Sequence, residues 1–143
     1  MSDGIIIKSK GFNPSPIAGN IPYWADSLNN PDCVGRKDYN EFWEEQLFYI
    51  KNGYTTGGLF IPPKYYELLN FGMVDGVGGK GFIRPYFIDL HYELYMEEYN
   101  IRNDKTCAGL VVPKARRKAL SFFAVQQIKY GMKYMESYRA AVS

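Results

Sequence analysis

Residues 110–121 read LVVPKARRKALS. An apolar run breaks at Pro113, passes through four cations in five positions (Lys114, Arg116, Arg117 and Lys118) and ends on Ser121. Upstream, residues 108–112 are continuously small or apolar, which suits a buried strand of a parallel sheet. Downstream, from about Leu120, the residues Phe122, Val125, Ile128, Met132 and Met135 recur on one stripe. That spacing predicts a helix of roughly five turns. The stretch is therefore a strand, a basic loop and a helix, and the expected class is α/β.

Two readings of the loop fit these residues. In one, the loop is a βα turn whose cations project into solvent. In the other, it holds a phosphate, which demands successive backbone N–H groups around the anion, a helix N-terminus aimed at it, and a cation that reaches the terminal oxygens. A hydroxyl in the first helical turn then holds Mg²⁺. Lys114 to Lys118 supply the cations and Ser121 the hydroxyl, in the right order. The usual G-x-x-x-x-G-K-[ST] pattern is absent, because Leu120 occupies the position before Ser121 where lysine belongs.

The charge of the whole chain points the same way. Its net charge is only +2, yet residues 1–100 carry 8 Lys/Arg against 13 Asp/Glu, and residues 101–143 carry 9 against 2. The C-terminal segment is where an anionic partner belongs, whether nucleotide phosphates or a nucleic-acid backbone; a solvated basic face is the alternative. At 143 residues the chain suits one modest domain. Two distant cysteines, Cys33 and Cys107, and a single histidine, His91, supply neither a disulfide framework nor a zinc cluster. The opening MSDGIIIKSKGF lacks the apolar length of a signal peptide, and no apolar run is long enough for a membrane helix. A reducing, cytoplasmic setting is the expectation.

Three regions follow. Residues 1–37 are rich in Pro, Gly and Asn and read as an irregular arm with a short strand at most over residues 5–7. Residues 38–104 form a helical and hairpin lead-in. There, Asp38 with Glu41 reads as an N-cap for a helix over about 39–51, ended by Asn52-Gly53. Residues 59–61 are strand-like, Pro62-Pro63 start a brief helix through Leu69 that Asn70-Phe71-Gly72 closes, and MVDGVGGKGFIR reads as a glycine-rich hairpin. The run YFIDLHYELYMEEYN predicts a second helix to about Asn100, with Phe87, Leu90, Leu94 and Tyr95 as its apolar positions. Residues 105–143 are the strand, loop and helix already described.

KARRKALS is similar to the deviant Walker A motif of phage terminase large subunits, the ATPases that pump DNA into capsids. Part of that family has the pattern K-x-x-R-x-G-x-S, onto which Lys114, Arg117 and Ser121 fall. YNEFWEEQLFYIKNGYTTGG, IPPKYYELLNFGMV and RPYFIDLHYELY also resemble, in order, segments that precede the loop in such terminases, so the likeness runs from about Tyr39 to the end. It implies that residues 105–143 are the first strand, P-loop and helix of a RecA-like ATPase core, here incomplete. By that resemblance ATP and Mg are the cofactors. Lys114 contacts the β and γ phosphates, Arg117 or Arg116 is the second cation with Lys118 beside it, and Ser121 takes the metal. The helix ending near Asn100 lies beside the adenine, with Tyr86, Phe87 or His91 to stack on it. Double-stranded DNA, a portal protein, a small terminase subunit and further copies of the chain are the implied partners, in the cytoplasm of an infected cell and with no membrane.

Ala119 departs from the pattern, standing where the family has the glycine that lets the backbone approach phosphate closely. Hydrolysis also needs an apolar strand ending in Asp-Glu, to hold Mg²⁺ and orient water. No such strand follows Ser121, so the chain reads as the N-terminal piece of a terminase large subunit, inactive alone. A non-catalytic nucleic-acid-binding, adaptor or structural module is the competing reading. DGVGGKG imitates a phosphate loop, but the FIRP that follows cannot begin a helix. The pairs Glu44-Glu45 and Glu97-Glu98 read as solvated faces, and His91 as an ordinary helical histidine.

Overall fold

The computed structural model describes residues 14–75, 81–103, 106, 127, 129, 130 and 132–134. Helix α1 spans Lys37–Asn52, helix α2 Pro63–Phe71 and helix α3 Asp89–Arg102. Strands β1 (Tyr54–Thr56) and β2 (Leu59–Ile61) pair antiparallel, as do β3 (Val74–Asp75) and β4 (Phe82–Ile83). Residues 127, 129, 130 and 132–134 are also helical. The described part is thus a helical assembly with two short hairpins. The strand over 108–112, the loop that follows it, and residues 5–7 lie outside the described residues.

Helix α1 begins earlier than Asp38 as N-cap would require. Arg36 holds the cap position with no side-chain hydrogen bond, and Asp38 sits inside the first turn, where its carboxylate accepts from the Tyr39 N–H at 2.9 Å. The acid still favours the positive end of the helix dipole. Gly53 ends α1 at φ 89°, its N–H bonding the Tyr49 carbonyl. The Gly/Thr-rich stretch that follows makes a tight turn. Gly57 and Gly58 both take positive φ, so a two-residue turn joins β1 to β2 in the register Thr56 to Leu59.

The core gathers around α2. Pro63 opens it, as a residue with no N–H to leave unpaired can, and every residue from Pro63 to Asn70 is buried. Tyr65 stacks on Tyr95 of α3 at 4.8 Å between centroids and lies against Phe87, while Tyr66 donates to Gln46 of α1 at 2.5 Å. Phe87 precedes α3 and does not belong to it. On α3 the buried residues are Tyr92, Leu94 and Tyr95, whereas Leu90, expected inside, is exposed. Tyr92 takes that inward position because its hydroxyl reaches the Phe60 carbonyl at 2.9 Å while its ring packs on Phe87.

Burying α2 on all sides also buries Lys64, Glu67 and Asn70, each of which needs a partner. Asn70 Oδ1 accepts from the Ile17 and Ala18 N–H groups at 2.9 and 3.1 Å, and its backbone carbonyl accepts from the Gly19 N–H at 2.8 Å. This clamp holds Ala18 at φ 47°, a left-handed conformation costing a non-glycine residue about 1 kcal/mol or more. It ties the N-terminal arm to this chain's own core. Trp43 of α1 reinforces the tie by donating to the Ala25 carbonyl at 2.9 Å.

Candidate functional site

Lys114, Arg116, Arg117, Lys118, Ala119 and Ser121 all lie outside the described residues. What the structure does give is the anchoring of the segment beyond them. Lys64 Nζ donates to Gln127 Oε1, Lys129 Nζ lies 3.1 Å from Glu67 Oε1, and Tyr130 donates its hydroxyl to the Ile50 carbonyl at 2.6 Å. The last contact has a local cause. The final carbonyls of a helix lack intrahelical partners, and Tyr130 satisfies one of those left at the end of α1.

Of the predicted apolar stripe only Met132 lies among the described residues, and it does not face inward. Tyr130 is buried and Tyr134 half-buried, while Met132 is 73% exposed. Two residues apart on a helix are about 200° apart around its axis, so Met132 points away from the side that carries Tyr130. The core selects tyrosine here because buried Lys64, Glu67 and the Ile50 carbonyl require polar reach, which methionine lacks.

The aromatic candidates for a base divide in the same manner. Phe87 is a core residue, 2% exposed and packed between Tyr65 and Tyr92, and is not available to stack on a ligand. Tyr86 is exposed and His91 half-buried on α3. The glycine-rich stretch is flanked by paired β3 and β4, as a hairpin requires, with residues 76–80 outside the described residues. Glu44 and Glu45 are exposed. Glu98 is not on a solvated face: its side chain is 14% exposed and takes Lys64 Nζ at 2.9 Å and Arg102 Nε on the same oxygen.

Lys64, Glu98 and Arg102 open onto a cleft of about 310 Å³. Lys51 at the end of α1 lines one side, the start of α2 the floor, and Tyr99 and Arg102 at the end of α3 another side. Tyr130 and Tyr134 close it. The Lys64 side chain is only 5% exposed and its ammonium lies 5.4 Å from the centroid of the Tyr130 ring. Burial pulls Lys64 below the usual lysine range, Glu98 pulls it back up, and the nearby Arg102 charge lowers it. Among the described residues no group of three or more His, Cys, Asp or Glu could hold a metal, and no helix is long and apolar enough to cross a membrane.

Sequence reasoning missed this cluster for a reason. Lys64 follows two prolines in a helix whose polar residues gave no sign of burial, and its partners lie 34 and 63 residues away. The i,i+4 spacing of Glu98 and Arg102 was the one local signal available. The chain matches no known family model, no curated protein and no solved structure.

Proposed function

We propose that the chain is the N-terminal part of a phage terminase large subunit, the ATPase that drives double-stranded DNA into a procapsid. One observation carries the proposal: Lys114, Arg117 and Ser121 follow, in order, an apolar run that suits a buried strand. The structure supports it by its surroundings. Six residues beyond Ser121 the chain is helical, and that helical segment is fastened to α1 by Tyr130 and to α2 by Lys129 and Gln127. A phosphate loop needs such an anchored helix behind it, because a fixed helix end can hold its dipole on the anion without reorganising.

In this reading Lys114 contacts the β and γ phosphates of ATP, with Arg117 or Arg116 as second cation and Lys118 at the rim. Ser121 holds Mg²⁺. A RecA-like core would be completed by later strands, and the portal, the small subunit and further copies of the chain would assemble on the whole protein in the host cytoplasm.

Calorimetric titration with Mg-ATPγS tests the reading. Saturable binding is expected, reduced at least tenfold by Lys114→Ala and strengthened by Ala119→Gly, which returns the backbone freedom the loop requires. Binding indifferent to Lys114→Ala rejects it. The competing reading, a nucleic-acid-binding module, predicts salt-sensitive DNA binding with no nucleotide response.

A further inference from the structure

The buried polar residues of α2 serve segments from opposite ends of the chain. In its first half Lys64 donates to Gln127, and Glu67 takes Lys129 at 3.1 Å. In its last turn Asn70 takes the N–H groups of Ile17, Ala18 and Gly19, two on its side-chain oxygen and one on its carbonyl. Arg84 adds a second grip at that end. Its Nη1 donates to the carbonyl of Gly72, the C-cap of α2, at 3.1 Å, and its guanidinium lies so close to Gly19 that a Cβ there would overlap it. The N-terminal arm therefore covers one end of α2, and the segment carrying Gln127 and Lys129 holds the other.

A helix like α2 does not hold its own shape. It has nine residues, and Pro62 at its N-cap makes no side-chain hydrogen bond. Helices that short are marginal in water, because a costly nucleus is followed by too few propagating bonds. The order of α2 comes from what packs on it, and every residue from Pro63 to Asn70 is buried. Such an element has two states, wound while both ends are covered and frayed when either cover leaves. Because winding is cooperative, fraying at one end weakens the holding groups at the other. We propose that α2 is a relay that makes the docking of the arm at residues 17–19 and the docking of the segment carrying Gln127 and Lys129 depend on each other. A partner that draws the arm away thereby loosens the segment behind the 113–121 loop. The relay does not depend on what that loop binds.

Native-state hydrogen exchange on the whole chain tests the relay, because amides that open as one unit are accelerated together when the unit is destabilised. Gly19→Val disturbs the arm without altering α2, through its φ of 80° and the overlap with Arg84. It is expected to accelerate the amides of Ala18, Tyr130 and Lys133 by a common factor of about tenfold or more, while those of the β1–β2 hairpin change less than about threefold. Lys129→Gln removes the ion pair to Glu67 from a side chain that is 40% exposed, and is expected to accelerate Ala18 and Gly19 from the other end. Gly19→Ala gives the same pattern with a smaller factor and serves if the valine chain does not fold. Acceleration confined to the arm in the Gly19 variants overturns the proposal. So do arm amides that ignore Lys129→Gln, or a β1–β2 hairpin accelerated as much as Tyr130.

Discussion

Single residues in this fold are fixed by backbone geometry as much as by side-chain chemistry. A Cβ on Gly53 would meet the Phe60 ring at 2.6 Å and the Ile61 carbonyl at 2.8 Å, and φ 89° is itself unfavourable for alanine. Gly53→Ala is expected to destabilise the chain by about 2–4 kcal/mol, combining overpacking with backbone strain; urea denaturation checks the value. At Asn70 the argument is hydrogen bonding. Asn70→Ala strands the Ile17 and Ala18 N–H groups that its amide oxygen now satisfies. The expected loss is about 2–3 kcal/mol, with the arm near Ala18 becoming a site of limited proteolysis. An Asn70→Ala chain that keeps both its stability and its resistance to protease contradicts the clamp. Gly53 was legible as a helix stop, but its close approach to β2 was not, because the β1–β2 pairing was not foreseen. Asn70 was read only as part of a helix end, since nothing local connects it to residues 17 and 18.

At the scale of elements, helix positions were readable and helix faces less so. Periodicity located α1 and α3 to within a few residues, and Pro62-Pro63 located α2. Yet Leu90 and Met132 were assigned inward on hydrophobicity and are exposed, while Tyr92 and Tyr130 are buried because their hydroxyls meet backbone carbonyls. Where buried groups are polar, a tyrosine outcompetes a more hydrophobic side chain, and spacing rules weighted on hydrophobicity misplace the face. The KARRKALS loop drew attention as a local motif and lies outside the described residues, whereas the Lys64, Glu98 and Arg102 cluster gave no such signal, since it is assembled from separate elements. Tyr130→Phe tests the anchoring directly. Loss of one buried hydrogen bond at the end of α1 is expected to cost about 1–2 kcal/mol, and hydrogen exchange near residue 130 should accelerate more than at α1's start. Uniform exchange across both would argue against a local anchor.

For the molecule as a whole, the abundance of buried tyrosine sets its response to alkali. Burial raises Tyr130 and Tyr134 to about 12, and raises Tyr65, Tyr66 and Tyr95 further. A phenol whose folded pKa exceeds its unfolded value near 10 keeps its full contribution to stability below pH 10. That contribution is lost as pH rises through 10 toward 12. Lys64, shifted downward by burial, acts in the opposite sense, since deprotonation removes its buried charge. It is one group against seven raised tyrosines, since Tyr49 and Tyr92 are shifted the same way. Stability measured by denaturant at rising pH is therefore expected to fall steeply above pH 10, with the red-shifted absorbance of the buried tyrosines appearing as the chain unfolds. Ionisation of the buried tyrosines that precedes unfolding contradicts it. The way α2 is stitched into this molecule has a bearing on its birth at the ribosome. Glu67 and Lys64 find Lys129 and Gln127 only after some sixty further residues have been translated, so the nascent chain must hold its central helix with half its ionic partners still inside the exit tunnel. Compaction around α2 should then wait for residues 127–130 to emerge, and truncation a few residues short of Gln127 should leave a chain that depends on chaperones.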